Sequence, residues 1–274
     1  MNDKAYRLIC QEAFLAKTCL TTGFNLLSNT GLEEKKIGNF YSGWFQLTIG
    51  FERLMKLVLT ANKIINCDGM PFTDNTLIRH KHKLKDLYNA CNEVHKNVFD
   101  ESIELNDYST DIIEFLHEFA VRSRFYNLNV LSTPWTEQDP LRAWYKISWE
   151  VSNKYVPEHV RKLRLAKVRK VVEQNGLASS YTHQTVITDY PELYTDFYIK
   201  NEVIRMATPH LAWLLIKILN PMHKILTHLE YEDTSNAQIK LGAVGMPYLS
   251  EFFPFLLQSR ESTLRRKGRV SSDI

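Results

Sequence analysis

The stretch Phe40-Tyr-Ser-Gly-Trp-Phe-Gln-Leu-Thr-Ile-Gly-Phe-Glu-Arg-Leu-Met-Lys-Leu-Val-Leu-Thr-Ala-Asn-Lys-Ile-Ile65 decides the fold. Its residues Trp44, Leu47, Phe51, Leu54, Val58, Ala61 and Ile65 fall alternately three and four positions apart, the beat of a single buried stripe along a long α-helix. A stripe of that length needs an equally long partner. Upstream, Ala5, Leu8, Ile9, Ala16, Cys19, Leu20, Phe24 and Leu27 keep the same periodicity from about Lys4 to Leu27, until Asn29-Thr30-Gly31 stops it. Two such helices in succession pack antiparallel.

Working outward, the spacing of Leu84, Leu87, Tyr88, Cys91 and Val94 predicts a third helix over about His80 to Val98. A fourth carries Ile112, Phe115, Leu116, Phe119 and Ala120, with Ser109 or Thr110 as its cap. Asp139-Pro140 opens another, Asp at the cap and Pro at the first helical position, and Pro157 interrupts it at its far end. A basic helix then runs from Glu158 to Gln174 and ends at Asn175-Gly176.

The Ser-, Thr- and β-branched-rich stretch Leu177 to Asp189 predicts a loop or one short β-hairpin near 179–188. It is the boundary candidate, dividing a helical bundle over 1–176 from a helical extension over 177–274 packed on it as one continuous body. In the extension Pro209, Pro221, Pro247 and Pro254 predict separate helices over Pro191 to Met206, His210 to Leu219, Pro221 to Tyr231, and Leu249 to Arg266. The fold class expected is all-α, an antiparallel helical bundle with additional C-terminal helices.

Composition agrees. The 274 residues hold 44% apolar and 24% charged side chains with only 10 Gly and 9 Pro, which suits long helices over turn-rich β structure. A net charge of +3 does not announce a nucleic-acid binder, so local clusters must carry that reading. The most apolar run, Leu211 to Leu219, contains Lys217 and falls far short of the roughly 20 residues that span a bilayer. The first 20 residues lack the apolar stretch of a secretory signal. Cys10, Cys19, Cys67 and Cys91 form no C-x-x-C pair and read as reduced thiols. A cytoplasmic protein with no membrane contact is expected.

Four features occur in order: the long first helix; Phe40-Tyr-Ser-Gly-Trp-Phe-Gln-Leu with Phe51-Glu-Arg-Leu-Met-Lys-Leu on the second; His82-Lys-Leu-Lys-Asp-Leu opening the third; and Arg122-Ser-Arg-Phe-Tyr-Asn-Leu-Asn129 ending the fourth. Over about residues 4–150 this order resembles the HEPN superfamily of helical RNA-associated domains. The resemblance implies a bundle of HEPN type that forms homodimers, RNA or another nucleic acid as partner, and no cofactor or metal. Many HEPN proteins are metal-independent ribonucleases of toxin, anti-phage defence or RNA-processing systems. In catalytic members an Arg, a polar residue and a His four to six positions after the Arg form the site. Here Arg122 and Arg124 are followed at that distance by Tyr126, Asn127 and Leu128, or by Leu128, Asn129 and Val130. Carried over residue by residue, the candidate catalytic set is Arg122, Arg124, Tyr126, Asn127 and Asn129.

Metal-free RNA cleavage needs a group to take the 2′-hydroxyl proton, another to protonate the leaving oxygen, and cations for the phosphorane charge. Arg122 and Arg124 suit the last role through bidentate phosphate contacts, and Tyr126 can stack on a base. Asn127 and Asn129 hydrogen-bond but do not shuttle protons, so the motif supports binding more directly than cleavage and leaves enzymatic activity open. The competing reading pairs both arginines with acids at a helix end and makes the asparagines caps.

Supporting residues are Glu52, Arg53 and Lys56: Glu52 either pairs with Lys56 one turn on or reaches across to orient Arg122 or Arg124. Arg79, His80 and His82 sit in a basic turn facing solvent or phosphate; on a helix His80 and His82 would point about 200° apart, which argues against a metal. Arg161, Lys162, Arg164, Lys167, Arg169 and Lys170, interleaved with Val160, Leu163, Ala166 and Val171, form either a solvated face or a nucleic-acid contact. A second function remains open, a non-catalytic dimeric scaffold or partner-binding subunit, for which Phe252, Phe253 and Phe255 offer apolar contact material.

Overall fold

The computed structural model describes residues 3–66, 80–132, 139–182, 190–237 and 245–270. Helices α1 (Asp3–Leu27) and α2 (Glu34–Asn66) form the expected antiparallel pair: Leu27 meets Gly43, Leu20 meets Gly50, and Glu12 pairs with Arg53. Their backbones approach at glycines. A Cβ on Gly23 would sit 2.7 Å from Leu47 Cγ, and one on Gly50 2.7 Å from Leu20 Cγ. The second helix starts earlier than its apolar beat because Glu34 to Asn39 is a polar first stretch with an acid at the positive helix end.

Next come α3 (Leu84–Phe99), α4 (Asp107–Val121), a 3₁₀ turn (Ser123–Phe125) and the short α5 (Tyr126–Ser132). The predicted start of the third helix was too early, since Lys81 takes φ 44° and leaves His80 and His82 in a turn. The cap of α4 is Asn106, whose Oδ1 accepts from the Ser109 N–H at 2.8 Å, and not Ser109 or Thr110. Ser109 is itself buried in the first turn. Helix α6 (Pro140–Tyr155) is capped as expected, Asp139 accepting from the Leu141 N–H at 2.7 Å. Helix α7 (Glu158–Gln174) ends before Gly176, which takes φ +67°.

A minimal antiparallel hairpin pairs β1 (Tyr181–Thr182) with β2 (Glu192–Leu193). Its second strand lies beyond the 179–188 window. The buried Glu192 carboxylate ties it to Lys200.

The largest correction is α8 (Tyr194–Ala237), one continuous helix where prolines predicted three. Pro209 and Pro221 each cost a hydrogen bond to the residue four earlier. Those residues, Arg205 and Lys217, are exposed, so the lost bonds fall where water replaces them. The rest of α8 packs against α2, α3, α4, α6 and α7, which keeps the chain helical through both breaks.

The predicted helix over 249–266 is instead two 3₁₀ turns (Ser250–Phe252, Pro254–Leu257) and α9 (Arg260–Arg265). The buried Glu230 carboxylate captures the Ser250 N–H and hydroxyl, both at 2.6 Å, and Pro254 prevents the helix from continuing. Phe253 and Phe255 are fully buried and belong to the core, while half-buried Phe252 packs against its edge and meets the exposed Phe14 edge-on. One hydrophobic core draws on α1, α2, α3, α4, α6, α8 and the C-terminal turns, with Trp44 against both Trp144 (4.3 Å) and Phe115 (4.8 Å), whose rings also meet at 5.3 Å. Asn25 clasps Val270, its side chain bonding both the N–H and the carbonyl at 3.1 Å. No described helix is long and apolar enough to cross a membrane.

Candidate nucleic-acid interface

Arg122 ends α4. Its guanidinium is half exposed, 3.6 Å from Glu118, and lines a cleft of about 470 Å³ between α4 and α6. Asp111, Glu114, Glu118 and Glu150 share that cleft with Lys146, over Phe115, Phe119 and Ile147, and Lys85 stands 2.5 Å from the Glu114 carboxylate. With Glu118 facing Arg122 and Glu114 facing Lys85, four carboxylates against three cations leave no positive excess to hold a phosphodiester.

Arg124 turns the other way. It donates to the Ala120 carbonyl and lies over the Phe45 ring, 5.7 Å from its centroid. Its recess, about 250 Å³, is walled by Tyr41, Ser42, Phe45 and Gln46. Phe119 borders both spaces, so the two arginines open onto different cavities.

Asn127 hydrogen-bonds the Tyr41 hydroxyl, and Tyr126 lies near it. Burial pushes the Tyr41 phenol well above its ordinary range, with Asp139 and Tyr126 adding to the shift and the Asn127 bond opposing it, so Tyr41 is no base near neutral pH. Asn129 is half-buried on α5. Among the described residues neither cavity is lined by a histidine. The carried-over set therefore sits in one region without converging on one phosphate or supplying a proton shuttle.

The supporting set serves the bundle. Glu52 accepts from Lys56 at 2.6 Å and meets His82 Nδ1 at 2.8 Å, tying α2 to the turn before α3 rather than to Arg122 or Arg124. Arg53 ties α2 to Glu12 of α1. His80 is half-buried in that turn, and Arg79 lies outside the described residues.

The basic helix α7 is different. Of its side chains only Val172 is buried, while Leu163 is 72% exposed. Three cations are engaged: Arg161 with the Ser152 carbonyl (3.3 Å), Lys162 with Glu158 (2.6 Å) and Arg164 with Glu202 of α8 (2.6 Å). Lys167, Arg169 and Lys170 are exposed and make no ion pair among the described residues. Val160 and Leu165 face inward onto Val156, Val203 and Met206, which fixes the outward direction of the charged face.

Between α7 and α8 lies a groove of about 610 Å³, lined by Arg164, Lys167, Val168, Val171, Val172, Asn175 and Leu177 and, from α8, Tyr198, Glu202 and Arg205. Sequence reasoning found the first side and missed the second. Glu202 and Arg205 are separated by three positions, an ordinary helical pair, and nothing local shows that they face Arg164. Comparison with protein-family models, with curated proteins and with solved structures found no match.

Proposed function

We propose that this chain is a helical RNA-binding protein whose contact surface is the outward face of α7, and that it binds RNA without cleaving it at Arg122 and Arg124. The observation that carries the reading is the set of exposed Lys167, Arg169 and Lys170, which make no ion pair among the described residues, on a helix that buries a single side chain. Cations spaced along one exposed helix repel one another and gain by neutralising phosphates, because each neutralised phosphate releases condensed counterions. Leu163 and Val171 stand exposed among them and suit the apolar faces of bases and sugars. The cleft at Arg122, where carboxylates match or outnumber the cations, offers no such excess of positive charge. The resemblance to HEPN proteins supports RNA as the polyanion.

The test is a salt titration of a labelled, structured RNA in EDTA between about 50 and 200 mM salt. The triple variant Lys167→Ala, Arg169→Ala, Lys170→Ala should bind more weakly, and the slope of log affinity against log salt should flatten by about 2 to 3. Arg122→Ala with Arg124→Ala should leave both affinity and slope unchanged, and the RNA should stay intact. Wild-type affinity in the α7 variant, or no binding at the lowest salt, would overturn the reading.

A further inference from the structure

We infer that the groove between α7 and α8 is a pocket for one unpaired nucleotide of a single-stranded RNA, a reading that rests on the RNA contact proposed for α7. The base lies against Tyr198 and the apolar floor, and its phosphate lies at Lys167 and Arg205.

Volume comes first. About 610 Å³ is within the range of pockets that enclose small organic ligands, roughly 300–1,000 Å³. The lining then divides into two halves. Val168, Val172 and Leu177 form an apolar floor beside the Tyr198 ring, the surface a base face covers by stacking. Arg164, Lys167 and Arg205 face one carboxylate, that of Glu202, leaving an excess of positive charge for an anion.

Glu202 organises this rim. Its buried carboxylate stands 2.6 Å from Arg164 Nε and 3.4 Å from Arg205 Nη1, which aims two guanidinium planes from different helices at one space. Each guanidinium carries five N–H donors, so both retain donors for a phosphate after binding Glu202. Lys167 belongs both to the groove and to the exposed cationic face of α7, so a strand following that face passes the mouth of the pocket.

Strandedness follows from geometry. In an A-form duplex the bases are stacked inside and only edges and backbone are presented, so no base reaches a floor set between two helices; an unpaired nucleotide does. Loops and single strands are the matching form of RNA.

The test compares a single strand of about ten nucleotides carrying 4-thiouridine with the same strand annealed to its complement. Wild type should bind the single strand at least about tenfold more tightly than the duplex, and Tyr198→Ala should lower single-strand affinity by about five- to a hundredfold while leaving duplex affinity alone. Tyr198→Phe should bind as wild type. Tyr198 also packs beside Leu32, Phe197 and Ile204, so irradiation of the wild-type complex supplies a readout independent of the variant's folding. The crosslinked peptide should fall within residues 164–177 or 194–205. Equal affinity for both forms, or a crosslink confined to other peptides, overturns the pocket while leaving the RNA reading in place. Binding of neither form sinks both.

Discussion

His210 sits in α8 with its ring stacked on Tyr155, centroids 5.8 Å apart and planes 16° from parallel. Arg260 covers the faces of both Tyr155 and Trp213, at 5.5 and 5.3 Å. Burial drives the imidazole down to about 4, and the Arg260 charge adds to the shift. The unfolded chain, with an ordinary histidine near 6.5, therefore takes up this proton before the folded one as pH falls. Stability from this site is complete above about 6.5 and is lost as pH falls through the window down to about 4. His223, also lowered by burial, acts in the same direction, whereas buried Glu230, raised by burial, opposes both. His210→Phe keeps a ring on Tyr155 and removes the titration. Its thermal midpoint should fall less than that of wild type between pH 7 and pH 5; an identical fall would assign the loss to other groups. His210 and His223 are buried while His228 stays half exposed beside Glu232. Partners such as Arg260, 50 positions away, have no local signature.

At the scale of elements, the α1–α2 pair was legible because the periodicity of buried residues is itself the interface. The closeness of that interface is set by glycines. A Cβ at Gly50 would meet Leu20 Cγ at 2.7 Å and the Leu20 backbone nitrogen at 3.0 Å, and backbone does not yield as a side-chain tip does. Gly38 lies on the same helix with nothing within 4 Å of an added Cβ. Gly50→Ala should therefore cost about 1–3 kcal/mol by overpacking. Gly38→Ala should gain about 0.5–1 kcal/mol, because alanine loses less backbone entropy in a helix. Denaturant midpoints of opposite sign for the same chemical change would show that contact rather than helix propensity governs Gly50; stabilisation by both would refute the close approach. Helix α8 was misread for a related reason. Rules for proline weigh a helix alone in water, but α8 is gripped by six other helices, and tertiary packing offsets two missing hydrogen bonds. The Asn106 cap was missed because Ser109 and Thr110, also good caps, stand three and four positions later.

For the whole molecule, the candidate site divides along the same line between local and distant information. The cationic face of α7 is contiguous in sequence and was legible from composition, whereas Tyr198, Glu202 and Arg205 join it only because the hairpin β1–β2 returns the chain beside α7. The boundary near residue 176 is likewise a change of local character and not a break in the core. Leu211, Leu214, Leu215, Ile218, Leu219, Met222, Ile225 and Leu226 of α8 are almost wholly buried in the same cluster as Leu47, Leu54, Ile112 and Trp144. At about 1.5–3 kcal/mol for each fully buried side chain, those eight contribute on the order of 10 kcal/mol or more, comparable to the net stability of a typical domain. A chain ending at Gly176 would leave the faces of α2, α3, α4 and α6 that pack on α8 open to water. The full chain should accordingly unfold in one cooperative transition by both near-ultraviolet circular dichroism and calorimetry. The 1–176 fragment should lose the near-ultraviolet signal, bind a hydrophobic dye and show no sharp heat-absorption peak. A fragment that melted cooperatively with its aromatic signal intact would show two independently stable units, and α8 would then be a covering layer instead of the post around which the bundle closes.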